Sequence, residues 1–305
     1  MEPTSRQTRY YRIKKTSVVL DLALSVLCSS LIFVVFKLFD TYKVQTLFAI
    51  ITNYVVASIT GLILYEAPIN LVDIPSKPWF WRTVLLGVLF ILIFNIMAKT
   101  AQKVGVSVAS VATKMSLVIP VIVGVFAYHE QLSVIKILGI LLALAAVYFA
   151  SIKEESLRIS KDALLLPILV FLGSGIIDAS INYLRETQLS KSEYPIFSST
   201  VFAAAAFTGA VFVLGKSLKT PLKFNFKNIL GGIALGIPNY FSIFFLLRAL
   251  QNENWNSASI FTINNVAIVM FSTLLGILLF NEKLSMKNWG GIVLAVISIL
   301  LVALF

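Results

Sequence analysis

The chain is poor in the residues that build soluble reaction centres. It has one cysteine, Cys28, and one histidine, His129, among 305 residues. A single cysteine excludes an intramolecular disulfide and a thiolate metal cluster, and a single histidine excludes a site made of several. Charge is scarce as well: Asp, Glu, Lys and Arg make up 13% of the chain, against roughly 25% in soluble globular domains. Acids are the scarcer sign, 14 against 25 bases, which leaves a net charge of +11. No Gly-x-x-x-x-Gly-Lys loop is present to cradle ATP phosphates. Neither His-Glu-x-x-His nor Gly-x-Ser-x-Gly occurs. No cofactor, no metal and no enzymatic activity is expected.

Apolar residues fill the space that charge leaves. They are 58% of the chain, and the mean hydropathy is +0.92. A water-soluble domain cannot hide that much apolar surface, so a soluble enzyme and a disordered chain are both excluded. A bilayer span needs about 20 consecutive apolar residues. The runs divide into ten such spans, at 17–37, 44–65, 81–101, 107–128, 134–151, 163–185, 194–214, 228–250, 257–280 and 286–305. They are continuous and too long for barrel strands, which alternate over about ten residues. A spanning backbone that satisfies its own hydrogen bonds must then be helical. The run beginning at Ser17 exceeds a signal-peptide core and lacks a small-residue cleavage site, so it is expected to stay as the first span. The bases lie mostly between the runs, and Arg6, Arg9, Arg12, Lys14 and Lys15 crowd the N-terminal tail. That placement fits anionic lipid headgroups, with no nucleic acid as a partner.

A repeat organises the spans. Shifting the chain by 152 residues lays His129-Glu-Gln-Leu-Ser133 on Asn281-Glu-Lys-Leu-Ser285, Gly139-Ile140 on Gly291-Ile292, Gly124 on Gly276, and Ser107 on Ser259. The offset is half the chain length, as a gene duplication leaves it. Each half holds five spans. Five is odd, so the second half enters the membrane from the opposite side, and a pseudo-two-fold axis in the membrane plane relates the halves. Inverted repeats of this kind build transporters whose substrate site lies near the midplane. The expected units are a tail at 1–16, a first five-helix repeat at 17–151, a linker at 152–162 and a second repeat at 163–305. The fold class is therefore all-α: ten transmembrane helices in two inverted five-helix repeats.

The two segments Glu130 to Ile140 and Glu282 to Ile292, with the small polar residues Ser107-Val-Ala-Ser110 and Ser257-Ala-Ser259, resemble the EamA-like branch of the drug/metabolite transporter superfamily. The resemblance covers nearly the whole chain. It implies a central cavity ringed by helices one to four and six to nine, with helices five and ten peripheral. It also implies a cell (inner) membrane location, both termini in the cytoplasm and, as in many relatives, export. Loop charges leave the orientation open: with the N-terminus inside, eleven Lys and Arg flank spans on that side and thirteen on the other.

Ionisable groups inside a bilayer cost about 2.5–3.5 kcal/mol on insertion scales and mark functional paths. Lys114 lies mid-span, and Ser107, Ser110 and Lys114 are spaced to share one face. Lys114 reads as the cation that receives a substrate carboxylate or phosphate, or else as one half of a structural ion pair. Asp178, Asn182 and Arg185 share a face of the sixth span. Asp178 reads as a proton-coupling group, since burial alters how readily a carboxylate gives up its proton, as a partner for a substrate amine, or as the partner of Lys114. Asn264 and Asn265 in the ninth span, Asn95 in the third, Asn239 in the eighth and Asn53 in the second offer amide donors and acceptors, which also glue helices together. Asp21 reads as an interfacial acid near the basic tail. Glu130 and Glu282 favour the positive end of a helix, with Ser133 and Ser285 as caps, and His129 reads as a surface histidine. Pro120, Pro167 and Pro238 interrupt spans, and with nearby glycines they mark helices six and eight as bendable.

These features point to a secondary carrier of a small polar organic molecule such as an amino acid, working by alternating access. Proton exchange, substrate exchange and facilitated diffusion remain open as driving forces. A sugar-phosphate, nucleotide-sugar or drug carrier of the same superfamily ranks lower, because no second deep cation holds a phosphate. An integral membrane enzyme and a non-transporting scaffold rank lower still.

Overall fold

The computed structural model describes residues 5–63, 71–128, 133–151, 161–190, 193–217, 225–250, 255 and 257–304. Every regular element among the described residues is helical. The α-helices are α1 (Ser5–Thr41), α2 (Thr46–Ile63), α3 (Phe80–Lys103), α4 (Val106–Met115), α5 (Val118–Tyr128), α6 (Val134–Ser151), α7 (Lys161–Thr187), α8 (Tyr194–Ser217), α9 (Phe226–Leu250), α10 (Ser257–Phe280) and α11 (Met286–Leu304). A short 3-10 helix, Leu71–Ser76, precedes α3. Among the described residues, eight segments are long and apolar enough to cross a membrane, and α6 and α11 contribute the shorter apolar stretches Ile137–Ser151 and Met286–Val302. Among the described residues the ten expected spans thus appear as eleven α-helices, because the fourth is divided into α4 and α5. Pro167 and Pro238 sit inside α7 and α9, which run on without a break. His129 and Glu130 lie outside the described residues.

Packing follows the repeat. α1 lies on α9 and on α10, while α3 lies on α7 and α7 on α4 and α5. α2 lies on α9, and α3 on α8. α2 and α8, α4 and α10, and α6 and α11 pack on each other. Exchanging each span for its counterpart in the other half maps this set of pairs onto itself, as a two-fold axis between the halves requires.

The apolar interior falls into two principal clusters. One joins α1, α2, α3, α8 and α9 around Phe36, Tyr54, Phe202 and Leu235. The other joins α4, α5, α6, α10 and α11 around Met115, Val118, Ile292 and Ile299. The fourth span contributes to both, through Ala109 and Ala112 on one side and Val111 and Met115 on the other. α7 contributes to both as well, through Val170 and Phe171, and so does α10, through Ile268 and Val269, so these three spans form the seam between the clusters.

Candidate substrate site

The fourth span begins at a helix end capped from the opposite half. The N–H groups of Val106 and Ser107 donate to the Glu282 carboxylate at 2.6 and 3.3 Å, and Ser107 Oγ donates to it at 2.8 Å. A carboxylate here satisfies orphan donors and complements the positive end of α4. The preceding Gly105 has φ +147°, a conformation that disfavours a side chain. A Cβ on Gly105 would approach Glu282 Oε1 to 3.1 Å, and one on Gly276 would approach Oε2 to 2.6 Å. Both glycines thus make room for the carboxylate. Glu282 serves α4 rather than α11, the helix that follows it. α11 is started by Ser285 and Asn288, whose side chains each accept the other's N–H, at 3.2 and 3.0 Å.

α4 then stops in mid-membrane. Helix is lost at Ser116 and Leu117 and resumes at Val118. Pro120, four residues past Ser116, explains the position. It has no N–H to give the Ser116 carbonyl, and its ring crowds that carbonyl. The Ile119 N–H bonds the Ser116 carbonyl instead, at 2.9 Å. Pro120 itself falls in the first turn of α5, where a missing N–H costs little. In the second half Ser272 stands at the matching position, and α10 is continuous.

Lys114 and Asp178 meet at this break. Lys114 is in the last turn of α4, and its ammonium lies within electrostatic reach of the Asp178 carboxylate on α7. No N···O contact within 4.0 Å joins them. Among the described residues Lys114 makes no hydrogen bond, so its three donors are unused. Asp178 accepts one hydrogen bond, from Ser116 Oγ at 3.2 Å, and the same hydroxyl also reaches the Thr113 carbonyl at 2.6 Å. One hydroxyl hydrogen serves two acceptors, so the carboxylate is lightly held. Asp178 sits mid-helix and is surrounded by protein, yet it keeps exposed surface. A discontinuous helix beside unpaired opposite charges near the midplane is the arrangement in which membrane carriers bind charged solutes.

The model of the EamA-like transporter family matches residues 16–152, the first half of the chain, and the second half repeats its Glu-x-Leu-Ser and Gly-Ile motif. The matched family belongs to the drug/metabolite transporter superfamily. The chain is similar to an uncharacterized protein of Haemophilus influenzae, with 27% identity over 288 residues, 92% of this chain and 96% of the relative. A solved crystal structure with 14% identity superposes at a TM-score of 0.57 over 95% of this chain and 97% of its own, a likeness of fold.

The other expected site residues separate into accessible and enclosed groups. Asn182 and Asn265 are half-buried. Asn264 is 2% exposed, and its Oδ1 is without a hydrogen-bond partner among the described residues. In the repeat, Asn264 and Asn265 match Ala112 and Thr113, adjacent to Lys114, and α10 packs on α4. Asn95 is half-buried and donates to the Ile91 carbonyl at 2.7 Å. Ser110 is fully buried, and its hydroxyl donates to the Ser107 carbonyl at 2.9 Å. Asn239 is buried and donates to Asn53 Oδ1 at 3.1 Å, which ties α9 to α2. Ser107 is held by Glu282, so Lys114 alone of its stripe keeps accessible surface. Asp21 is buried and pairs with Arg248 of α9 at 3.1 Å. Arg185 pairs with its neighbour Glu186 at 3.3 Å. Ser116 carries the break and touches Asp178. The sequence signal for it is the spacing to Pro120.

Proposed function

We propose that this chain is a secondary carrier for a small zwitterionic metabolite of the amino-acid class, moved outward by alternating access. The supporting observation is the opposition of Lys114 and Asp178 without an ion pair, at the break in the fourth span. An ammonium and a carboxylate facing one space, each without a strong partner, complement the carboxylate and the amine of one solute. Buried charges left unpaired are costly, and a bound zwitterion relieves both at once. Asn265 on α10 and Asn182 on α7, both half-buried, supply hydrogen bonds to the remainder. The outward direction, the inner membrane and cytoplasmic termini follow from the habit of the family.

Counterflow in proteoliposomes tests this reading. Vesicles preloaded with a mixture of zwitterionic amino acids should accumulate a labelled member of the mixture. Lys114→Ala should abolish accumulation, and Asp178→Asn should weaken amino acids more than carboxylic acids lacking the amine. Equal accumulation by wild type and Lys114→Ala refutes the assignment.

A further inference from the structure

Beside the break, α3, α5 and α7 leave between them a crevice of about 460 Å³, whose lining runs from Ile119 and Ala179 to Arg82 and Tyr183. Its walls are apolar, with Leu85 and Leu89 from α3, Val123 from α5 and Ile176 from α7. The crevice opens sideways, since Leu85 keeps 63% and Ile176 keeps 49% of its surface exposed. Within spans, such surface faces hydrocarbon, where lipid rather than water fills an apolar groove. One end of the crevice is different. Arg82, in the first turn of α3, lines it together with Tyr183 near the end of α7. The guanidinium lies 5.8 Å from the Tyr183 ring centre, and it makes no ion pair among the described residues. Trp81 beside it is 76% exposed. Aromatic side chains and a base at a span end mark the headgroup level.

We propose that this crevice binds one anionic phospholipid, with an acyl chain between α3, α5 and α7 and the phosphate on Arg82. Charge and shape both select that occupant. The groove is apolar along its length, and its one unpaired charge is positive and stands where a phosphate would lie. A guanidinium matches a phosphate with two parallel donors, which a lysine does not. Lipid held there touches α5, the half-helix that follows the break at Ser116.

Native mass spectrometry of the full chain in detergent tests the site, titrating phosphatidylglycerol against phosphatidylethanolamine with the same acyl chains. A basic residue near the surface is worth about a fivefold preference for anionic lipid. Wild type should show that preference at one site, and Arg82→Gln should remove it. Lys287→Gln, at an exposed base on α11, should keep it. Ala179→Phe, which fills the crevice, should weaken both lipids. Glycerol phosphate, which carries the charge without the tails, should not compete. The proposal is overturned if wild type shows no preference, if Arg82→Gln keeps it, or if glycerol phosphate displaces the lipid. Should Ala179→Phe fail to fold, the exposed Arg82→Gln still decides.

Discussion

Gly139 on α6 lies against Val302 on α11, where a Cβ on the glycine would meet Val302 Cγ2 at 2.7 Å. The repeat reproduces this contact with the partners exchanged. Gly291, 152 residues after Gly139, lies against Ala150, 152 residues before Val302. One contact made twice with roles reversed is the mark of a two-fold axis. A four-residue motif in a mostly apolar chain is weak evidence for duplication, and this reciprocal contact gives it a physical basis.

Larger residues at either glycine should therefore do similar damage. Gly139→Leu and Gly291→Leu are each expected to destabilise the bundle by about 1–3 kcal/mol through overpacking. Thermal unfolding of the detergent-solubilised protein checks this. A large loss from one variant and none from the other would contradict the symmetric contact.

Glu282 joins the two halves by capping α4. Glu282→Ala leaves the Val106 and Ser107 donors unmet and should cost about 1–2 kcal/mol. Glu282→Gln keeps an acceptor and should cost less. Gly276→Ala should resemble Glu282→Ala, because its methyl would occupy the space of the carboxylate. Melting temperatures of the three variants, in one detergent, provide the comparison.

A second bridge between the halves depends on pH. Lys77, before α3, pairs with Glu193, before α8, at 3.0 Å. Partial burial works against the Glu193 carboxylate, yet hydrogen bonds from Lys77 and from the Ser190 N–H and hydroxyl hold its pKa down at about 2. A depressed carboxyl pKa contributes stability that is complete above the ordinary glutamate range and is lost as pH falls toward 2. Glu193→Gln should then lower the melting temperature at pH 7 and leave it nearly unchanged at pH 2. The side chains are 43% and 22% exposed, so the effect should be small and should shrink in high salt.

Pro120→Ala tests the broken span. The variant restores an N–H four residues after Ser116, so α4 and α5 can join. Hydrogen exchange at Ser116–Ile119 should slow, while transport falls as the two charges lose their setting. Unchanged exchange would show that the break has another cause.

Much of the architecture was readable from the chain, because span length and oddness of the repeat depend on local composition. The break was not. Pro120, Pro167 and Pro238 look alike in sequence, and whether a helix survives a proline depends on which neighbours re-satisfy the freed carbonyl. Lys114 and Asp178 stood out as charges in apolar runs, whatever their contacts. Ser110 and Asn239 looked equally suited to a cavity. Their faces turned inward onto other helices, an outcome set by which spans pack together and not by spacing along one span. The reach of Glu282 to Ser107 crosses 175 residues of sequence, and only the two-fold arrangement brings them together.

In the proposed function Lys114 anchors an exported solute. Untargeted metabolomics of spent medium tests it most directly, comparing cells with equal membrane amounts of wild type and Lys114→Ala, and empty cells. The account predicts that an amino-acid class of compound accumulates outside only with wild type. Equal enrichment by both forms would contradict the role of Lys114, and enrichment by neither would contradict export.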